Sequence, residues 1–324
     1  VVVSAPTGCG KTIIAEYCID KAIHDNKRVF YTAPIKALSN QKYKDFSEYY
    51  GEEMVGLITG DRVVNPDAQI VVMTAEIFRN RVVTQDDLAE DVSFVVFDEI
   101  HYINDPHRGT VWEESVIFSP KHMRFVCLSA TISNAEEFAN WISTIKGHEV
   151  ETIVHHERVV PLDIKFYQHD VGVASLDRIK KHYDIPSYNE FNRGAGRGKK
   201  IRETKPNHMD LVLSMGDKFP GIFFCFSRKV TEKYADELGR NKKIKKELQP
   251  KVSKAFIDLP EQVQMLNSAR VLRRTLPRGI GFHHAGMLPA LKAIVEEFFE
   301  AGDIDVLYAT ETFSVGINMP ARTV

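Results

Sequence analysis

Long apolar runs are missing from this chain of 324 residues. None approaches the ~18 residues of a membrane span, so no membrane association is expected. No charged-then-apolar leader opens the sequence, which argues against secretion. Cysteine is scarce. Cys9, Cys18, Cys127 and Cys225 are scattered without metal-ligand spacing, which speaks against a disulfide framework and against structural zinc. The expectation is an intracellular protein, cytoplasmic or, in a eukaryote, nuclear. A strong net charge is lacking as well, since the formal balance is only −2. That balance conceals two unlike halves. Residues 1–150 hold 14 Lys+Arg against 22 Asp+Glu, a net of −8, and residues 151–324 hold 28 against 22, a net of +6. Two domains are expected, the second one suited to a polyanion. The composition, 44% hydrophobic and 27% charged, allows each half its own core.

What is present begins at the first residue. Val1-Val2-Val3-Ser4 reads as a buried strand that runs into Ala5-Pro6-Thr7-Gly8-Cys9-Gly10-Lys11-Thr12 and then into a helix. Small residues at Ala5, Gly8 and Gly10 let backbone N–H groups close around phosphate oxygens, and the helix offers its unsatisfied amides to the same anion. Lys11 is placed to reach the β- and γ-phosphates of ATP, and Thr12 to put a hydroxyl on Mg²⁺. Ala5 stands where the strict phosphate-loop pattern has Gly.

Apolar residues then recur at helical spacing (Ile13, Ile14, Tyr17, Cys18, Ala22, Ile23), and helix and strand keep alternating. Strands are expected at 28–32, 55–58, 69–74, 93–98, 124–129 and 151–154. Such alternation implies an α/β fold with a mostly parallel sheet covered by helices, whose ligands bind beyond the carboxyl ends of the strands. At one such end stands Phe97-Asp98-Glu99-Ile100-His101. Asp98 is suited to hold Mg²⁺ opposite Thr12, and Glu99 to take a proton from the water attacking the γ-phosphate. Alone, an Asp-Glu pair after a strand is often only a helix-start charge pair.

These residues carry a resemblance. Asp98-Glu99-Ile100-His101 resembles the DExH box of superfamily-two helicases, which adds His101 to the catalytic set. Ser129-Ala130-Thr131 resembles their motif III, which couples the nucleotide and nucleic-acid sites. Pro34 to Gln41 looks like motif Ia, while Thr59-Gly60-Asp61 and Thr74-Ala75-Glu76 look like the other strand-gripping loops. The resemblance implies that Pro34, Lys36, Gly60, Asp61, Thr74 and Glu76 face RNA. Read singly, each stretch is a strand-to-helix junction. Arg108-Gly109 with Val111-Trp112-Glu113-Glu114 narrows the likeness to the superkiller-type, exosome-associated RNA helicases and their bacterial relatives. Trp112 and the Glu pair are read as structural.

Arg158-Val159-Val160-Pro161-Leu162 resembles that family's crossing between domains, so the boundary is expected at residues 157/158. About 184–207 is Gly-rich, basic and aperiodic, and reads as a flexible surface insert. Lys-rich Arg240 to Lys254 reads as an exposed helical excursion. The strand from Gly221 ends in Ser227-Arg228, similar to motif IV. Gly279 to Gly286 brings His284 and Gly286 to the RNA backbone by the same resemblance, and the adjacent His283-His284 pair lacks a third ligand for zinc. Val306 to Ala321 is a long match to motif V, in which Thr310 touches RNA while Gly316 and Asn318 approach ATP.

The resemblance implies two tandem RecA-like domains, 1–157 and 158–324, the second incomplete. It implies an ATP- and Mg²⁺-dependent helicase moving 3′ to 5′ on single-stranded or 3′-overhang RNA, with an exonuclease or exosome-type complex as partner. The family's last motif supplies arginines to the γ-phosphate and is expected beyond Val324. Such arginines are worth about 10³–10⁵ in rate in related hydrolases, so weak turnover by these residues alone is expected. Two rivals stay open: a DNA-repair helicase of the same superfamily, and an ATP-gated RNA clamp that does not unwind.

Overall fold

The computed structural model describes residues 1–84, 91–183, 207–313 and 320–324. Nearly all of the expected basic insert lies outside the described residues. The chain divides into two compact units between Leu162 and Asp163, five residues beyond the boundary expected from sequence.

The first unit is built on an eight-stranded sheet. Its strands are β1 (Val2–Ser4), β2 (Arg28–Ala33), β3 (Val55–Ile58), β4 (Val63–Val64), β5 (Ile70–Thr74), β6 (Val92–Phe97), β7 (Arg124–Ser129) and β8 (Thr152–Val154). The spatial order is β4-β3-β5-β2-β6-β7-β1-β8, and every pairing is parallel except β3 with β4. Strands β1, β3 and β5 are buried along their whole length, as strands covered on both faces must be. Helices α1 (Lys11–His24), α2 (Lys36–Tyr50), α3 (Ala75–Thr84), α4 (Thr110–Phe118) and α5 (Ala135–Lys146) cover it.

Two apolar clusters result. One packs Phe30, Phe78, Phe97, Trp112 and Phe125 on one face, and the other packs Ile19, Tyr31, Phe46, Val72 and Leu128 on the opposite face. Not all of the apolar residues of α1 face inward. Ala15, Cys18, Ile19 and Ala22 are its buried residues, whereas Ile13 and Tyr17 are 66% and 68% exposed. Two overlapping apolar stripes run along this helix, and tertiary packing selects the one with small residues, which lets the helix lie close to the sheet.

The second unit has a hairpin, β9 (Phe166–Gln168) with β10 (Gly172–Ala174), and a parallel sheet of β11 (Gly221–Phe224), β12 (Ile280–His283) and β13 (Val306–Ala309) in the order β11-β13-β12. Its helices are α6 (Leu176–Tyr183), α7 (His208–Ser214), α8 (Arg228–Asn241), α9 (Leu248–Ile257), α10 (Glu261–Gln264), α11 (Asn267–Thr275) and α12 (Pro289–Glu300). The Lys-rich stretch is mostly exposed, as expected, and is anchored at a few points. Leu248, Val252 and Phe256 of α9 are buried, Lys242 and Lys245 both bind Asp305 at 2.7 and 2.8 Å, and Lys251 binds Asp303 at 2.9 Å. Burial alone would raise the Asp305 carboxyl, but the two ammoniums hold it below the usual carboxylate range. No helix among the described residues is long and apolar enough to cross a membrane.

Candidate nucleotide and nucleic-acid sites

In the first unit, six adjacent strands deliver every sequence-selected loop to one edge of the sheet. The ends of β6, β7 and β1 carry the Asp98 box, Ser129-Ala130-Thr131 and the Ala5–Thr12 loop, while β3, β5 and β2 carry the loops read as RNA-facing. The loop after β1 needs its glycines for backbone reasons. Gly8 and Gly10 adopt φ of +85° and +77°, a left-handed conformation that side chains disfavour. Gly10 caps α1 with no side-chain hydrogen bond, and no acid stands in the first helical turn. The leading amides therefore stay available to an anion.

Lys11 donates from Nζ to the carbonyls of Ala5 and Pro6 at 2.9 and 3.1 Å, across the mouth of the loop. Glu99 is also held in a left-handed conformation, φ +52°, where a residue with a Cβ stands at a cost of about 1–3 kcal/mol. That turn ends β6 abruptly and starts the 3-10 segment Ile100–Asn104. Burial and the neighbouring Asp98 raise the Glu99 carboxyl above its ordinary value, while Lys11 and Lys42 pull the other way. His101 is lowered, chiefly by burial and then by Lys11, so it is neutral near pH 7. Its Nδ1 lies 3.3 Å from Glu99 Oε2 and 3.4 Å from the Ala130 amide. One nitrogen holds one proton at most, so it either donates to Glu99 or accepts from Ala130 N–H. This is a direct link from the Asp98 box to the segment read as coupling.

That segment is tied to the phosphate loop as well. Ala5 N–H donates to Ser129 O at 3.1 Å, and Ile132 N–H donates to Ser4 Oγ at 3.0 Å. Ser129 is buried, and Thr131 is exposed.

Two residues of this site escaped the sequence reading. Lys42, on α2, places Nζ 3.4 Å from Thr12 Oγ1, and its charge also acts on Glu99. Tyr31, inside β2, donates its phenol to Asp98 Oδ2 at 2.6 Å. Lys42 follows the Pro34–Gln41 stretch directly, which was the available signal. Tyr31 looks in sequence like one more core aromatic. Thr12 Oγ1 and the Asp98 carboxylate are hard oxygen donors of the kind a small dication takes, and Asp98 keeps lone pairs free beyond its bonds from Tyr31 and Glu99 N–H.

The neighbouring loops form a second group. Lys36 pairs with Asp61 at 3.1 Å, and Thr59 Oγ1 donates to the same carboxylate at 2.9 Å, with Gly60 between them in sequence. Arg108 donates to Glu76 Oε1 (3.1 Å from Nε, 2.5 Å from the terminal nitrogen) and to the Pro34 carbonyl, and lies over the rings of Tyr102 and Trp112. Glu76 and Pro34 are thus clamped by one guanidinium, and Thr74 is buried beneath them. Gly109 has to be glycine, because a Cβ there would meet the Ile103 carbonyl at 2.1 Å. Trp112 is fully buried and stacked on Tyr102, a structural position.

In the second unit, the three parallel strand ends converge in the same way. Arg228, Thr310 and Ala285 line one open groove of about 480 Å³ with Phe224, Cys225, Phe226 and Glu311. Ser227 and Arg228 are exposed at the start of α8, and Gly286 lies beside the Arg228 side chain. His284 is buried, and both of its ring nitrogens are taken: Nδ1 accepts from Gly286 N–H at 3.1 Å and Nε2 meets Glu232 at 3.1 Å. It braces the Gly286 turn. His283 points to a different carboxylate, Glu296, at 2.8 Å. Gly316 and Asn318 lie outside the described residues.

Residues 1–138 match the DEAD/DEAH box helicase family. Over its whole length the chain is similar to the antiviral helicase SKI2 of Saccharomyces cerevisiae (36% identical, 30% of that protein covered). It is similar in the same way to the exosome RNA helicase MTR4 of Homo sapiens (38%, 33% covered) and to the probable helicase HelY of Mycobacterium leprae (36%, 38% covered). The chain spans about a third of the length of these curated relatives. Residues 1–138, whose mostly parallel sheet carries Lys11, Asp98, Glu99 and His101 on one edge, therefore form a DEAD/DEAH box helicase domain, and the chain as a whole is similar to the helicases SKI2, MTR4 and HelY.

Proposed function

We propose that the chain is the motor portion of an ATP-dependent RNA helicase that acts inside the cell in RNA processing or decay. One observation carries the reading: Ala5 N–H donates to Ser129 O at 3.1 Å, and the next residue's amide, Ala130 N–H, lies 3.4 Å from His101 Nδ1. The phosphate loop and the Asp98 box therefore meet at one segment, although they are far apart in sequence. Within it, the loop amides and Lys11 hold the phosphates. Thr12 and Asp98 would hold Mg²⁺, which would supply neutralisation of the phosphate charge. Glu99, raised and near neutral His101, takes the proton of the attacking water. Phosphoryl transfer asks mainly for positioning and charge neutralisation, and these residues supply both.

RNA runs over Pro34, Lys36, Gly60, Asp61, Thr74 and Glu76 in the first unit and Ser227, Arg228, Gly286 and Thr310 in the second, with His284 in support. Contacts through backbone amides, hydroxyls and single cations read phosphate and ignore sequence. Gly316 and Asn318 join the nucleotide site in this reading, and Ser129-Ala130-Thr131 couples the two sites. Movement is 3′ to 5′ on single-stranded or 3′-overhang RNA, with an exonuclease or exosome-type complex as partner. The name of the exosome RNA helicase MTR4 supports this choice over a DNA-repair role. The test compares stimulation of ATP hydrolysis by single-stranded RNA and DNA of one sequence, together with unwinding of a 3′-overhang duplex. Preference for RNA with strand separation supports the reading; equal stimulation favours the DNA enzyme, and binding without separation favours a clamp.

A further inference from the structure

Asp98 is the carboxylate on which the metal reading depends, and its surroundings are unusual for a residue at the open edge of a sheet. It is buried, and two donors fix it from different sides: Glu99 N–H to Oδ1 at 3.0 Å and the Tyr31 phenol to Oδ2 at 2.6 Å. The first comes with the backbone turn and would accompany any residue at position 99. The second is a specific choice. Tyr31 lies on β2, hydrogen-bonded directly to β6, with its residue in register with Val96, so the phenol reaches the carboxylate just past the strand end. The ring is fully buried and packed edge-on against Phe46 at 5.1 Å. An ionised carboxylate only accepts, so the phenol is the donor of this pair. For core packing alone, Phe would fill the same space without burying a hydroxyl, whose desolvation needs a partner.

We infer that Tyr31 is a positioning residue for the metal carboxylate: its hydroxyl fixes the rotation of Asp98 so that a free oxygen lone pair is aimed at a divalent cation bound with nucleotide. The inference rests on the reading of Asp98 as a Mg²⁺ ligand. A carboxylate held from one side by a backbone amide can still rotate; the second donor removes that freedom before the ion arrives. Donors behind metal ligands are worth about 10–100-fold in metal affinity, and a magnesium ion that keeps most of its waters puts the expectation near the lower figure.

The experiment is Tyr31→Phe in the 324-residue chain, with a fluorescent ATP analogue titrated at a series of Mg²⁺ concentrations and again in EDTA. The Mg²⁺ concentration giving half-maximal nucleotide affinity should rise about tenfold, while the metal-free affinity and the melting temperature stay near those of the parent chain. In an Asp98→Asn background the same Tyr31→Phe change should do nothing more to the Mg²⁺ dependence. An unchanged Mg²⁺ midpoint, or an equal loss with and without metal, overturns the inference and makes Tyr31 a packing residue. A parent chain that shows no Mg²⁺-dependent nucleotide binding would overturn the reading of the site itself, a distinct result from failure of the Tyr31 variant alone.

Discussion

The two units use the same device and load it differently. In both, parallel strands end on one edge and the loops beyond them hold the candidate site. In the first unit that edge buries its charge: Asp98 is inside, Glu99 is raised by burial, and Lys11 and Lys42 surround them. In the second unit the buried His284 is spent on Glu232 and Gly286, while Arg228 at the edge stands exposed. Burial suits chemistry, because charges act strongly where water is excluded. Exposure suits a polyanion that must slide, because each contact stays weak and screened. Under the proposed function, the difference teaches that one architecture separates reaction from grip by depth.

Removing Lys11 should break the comparison on the nucleotide side. Lys11→Ala deletes a charged hydrogen-bond donor, worth about 1.5–3 kcal/mol, so ATP affinity measured by fluorescence should fall by about ten- to a hundredfold with RNA affinity unchanged. Arg108→Ala comes next. It leaves the Glu76 carboxylate and the Pro34 carbonyl without their donor, and calorimetry should show the first unit destabilised by about 1–3 kcal/mol. On the second unit, Arg228→Ala should weaken RNA binding and lower the slope of log affinity against log salt by about 1, with ATP affinity intact. A loss of ATP affinity in Arg228→Ala would erase the proposed division of labour.

The smallest effect sharpens the cost of burying charge away from any site. Lys146, at the end of α5, is buried and donates to Ser119 O and Oγ at 2.6 and 2.9 Å, and burial brings its ammonium down to about 8 from 10.5. Between those values the unfolded chain holds a proton that the folded chain has released. Raising the pH through that window therefore relieves a penalty and stabilises the fold. Cys127 opposes this above pH 9, since burial pushes its thiol up to about 12. From pH 7.5 to 9, the parent chain should gain melting temperature relative to Lys146→Met.

Much of this was legible in the sequence, for a physical reason. Parallel strands covered on both faces are continuous apolar runs, so 28–32 and 124–129 announce themselves, and small residues before Lys11-Thr12 announce the phosphate loop. The inner face of α1 stayed open in the sequence, because periodicity cannot choose between two apolar stripes. Tyr31 and Lys42 were missed because their roles come from a neighbouring strand and helix: Tyr31 meets Asp98 across a strand pair, and Lys42 meets Thr12 across thirty residues of chain. His284 was read as facing RNA, and only the fold brings Glu232 and Gly286 N–H to its two ring nitrogens.

The central claim is that Thr12 and Asp98 serve one metal–triphosphate. A double-mutant cycle with Thr12→Val and Asp98→Asn, read as Mg²⁺-dependent ATP affinity, tests it most directly. A shared ion predicts strong non-additivity, with either change costing nearly as much as both together. Losses that simply add would mean that the two side chains act on separate things, and the account would fail.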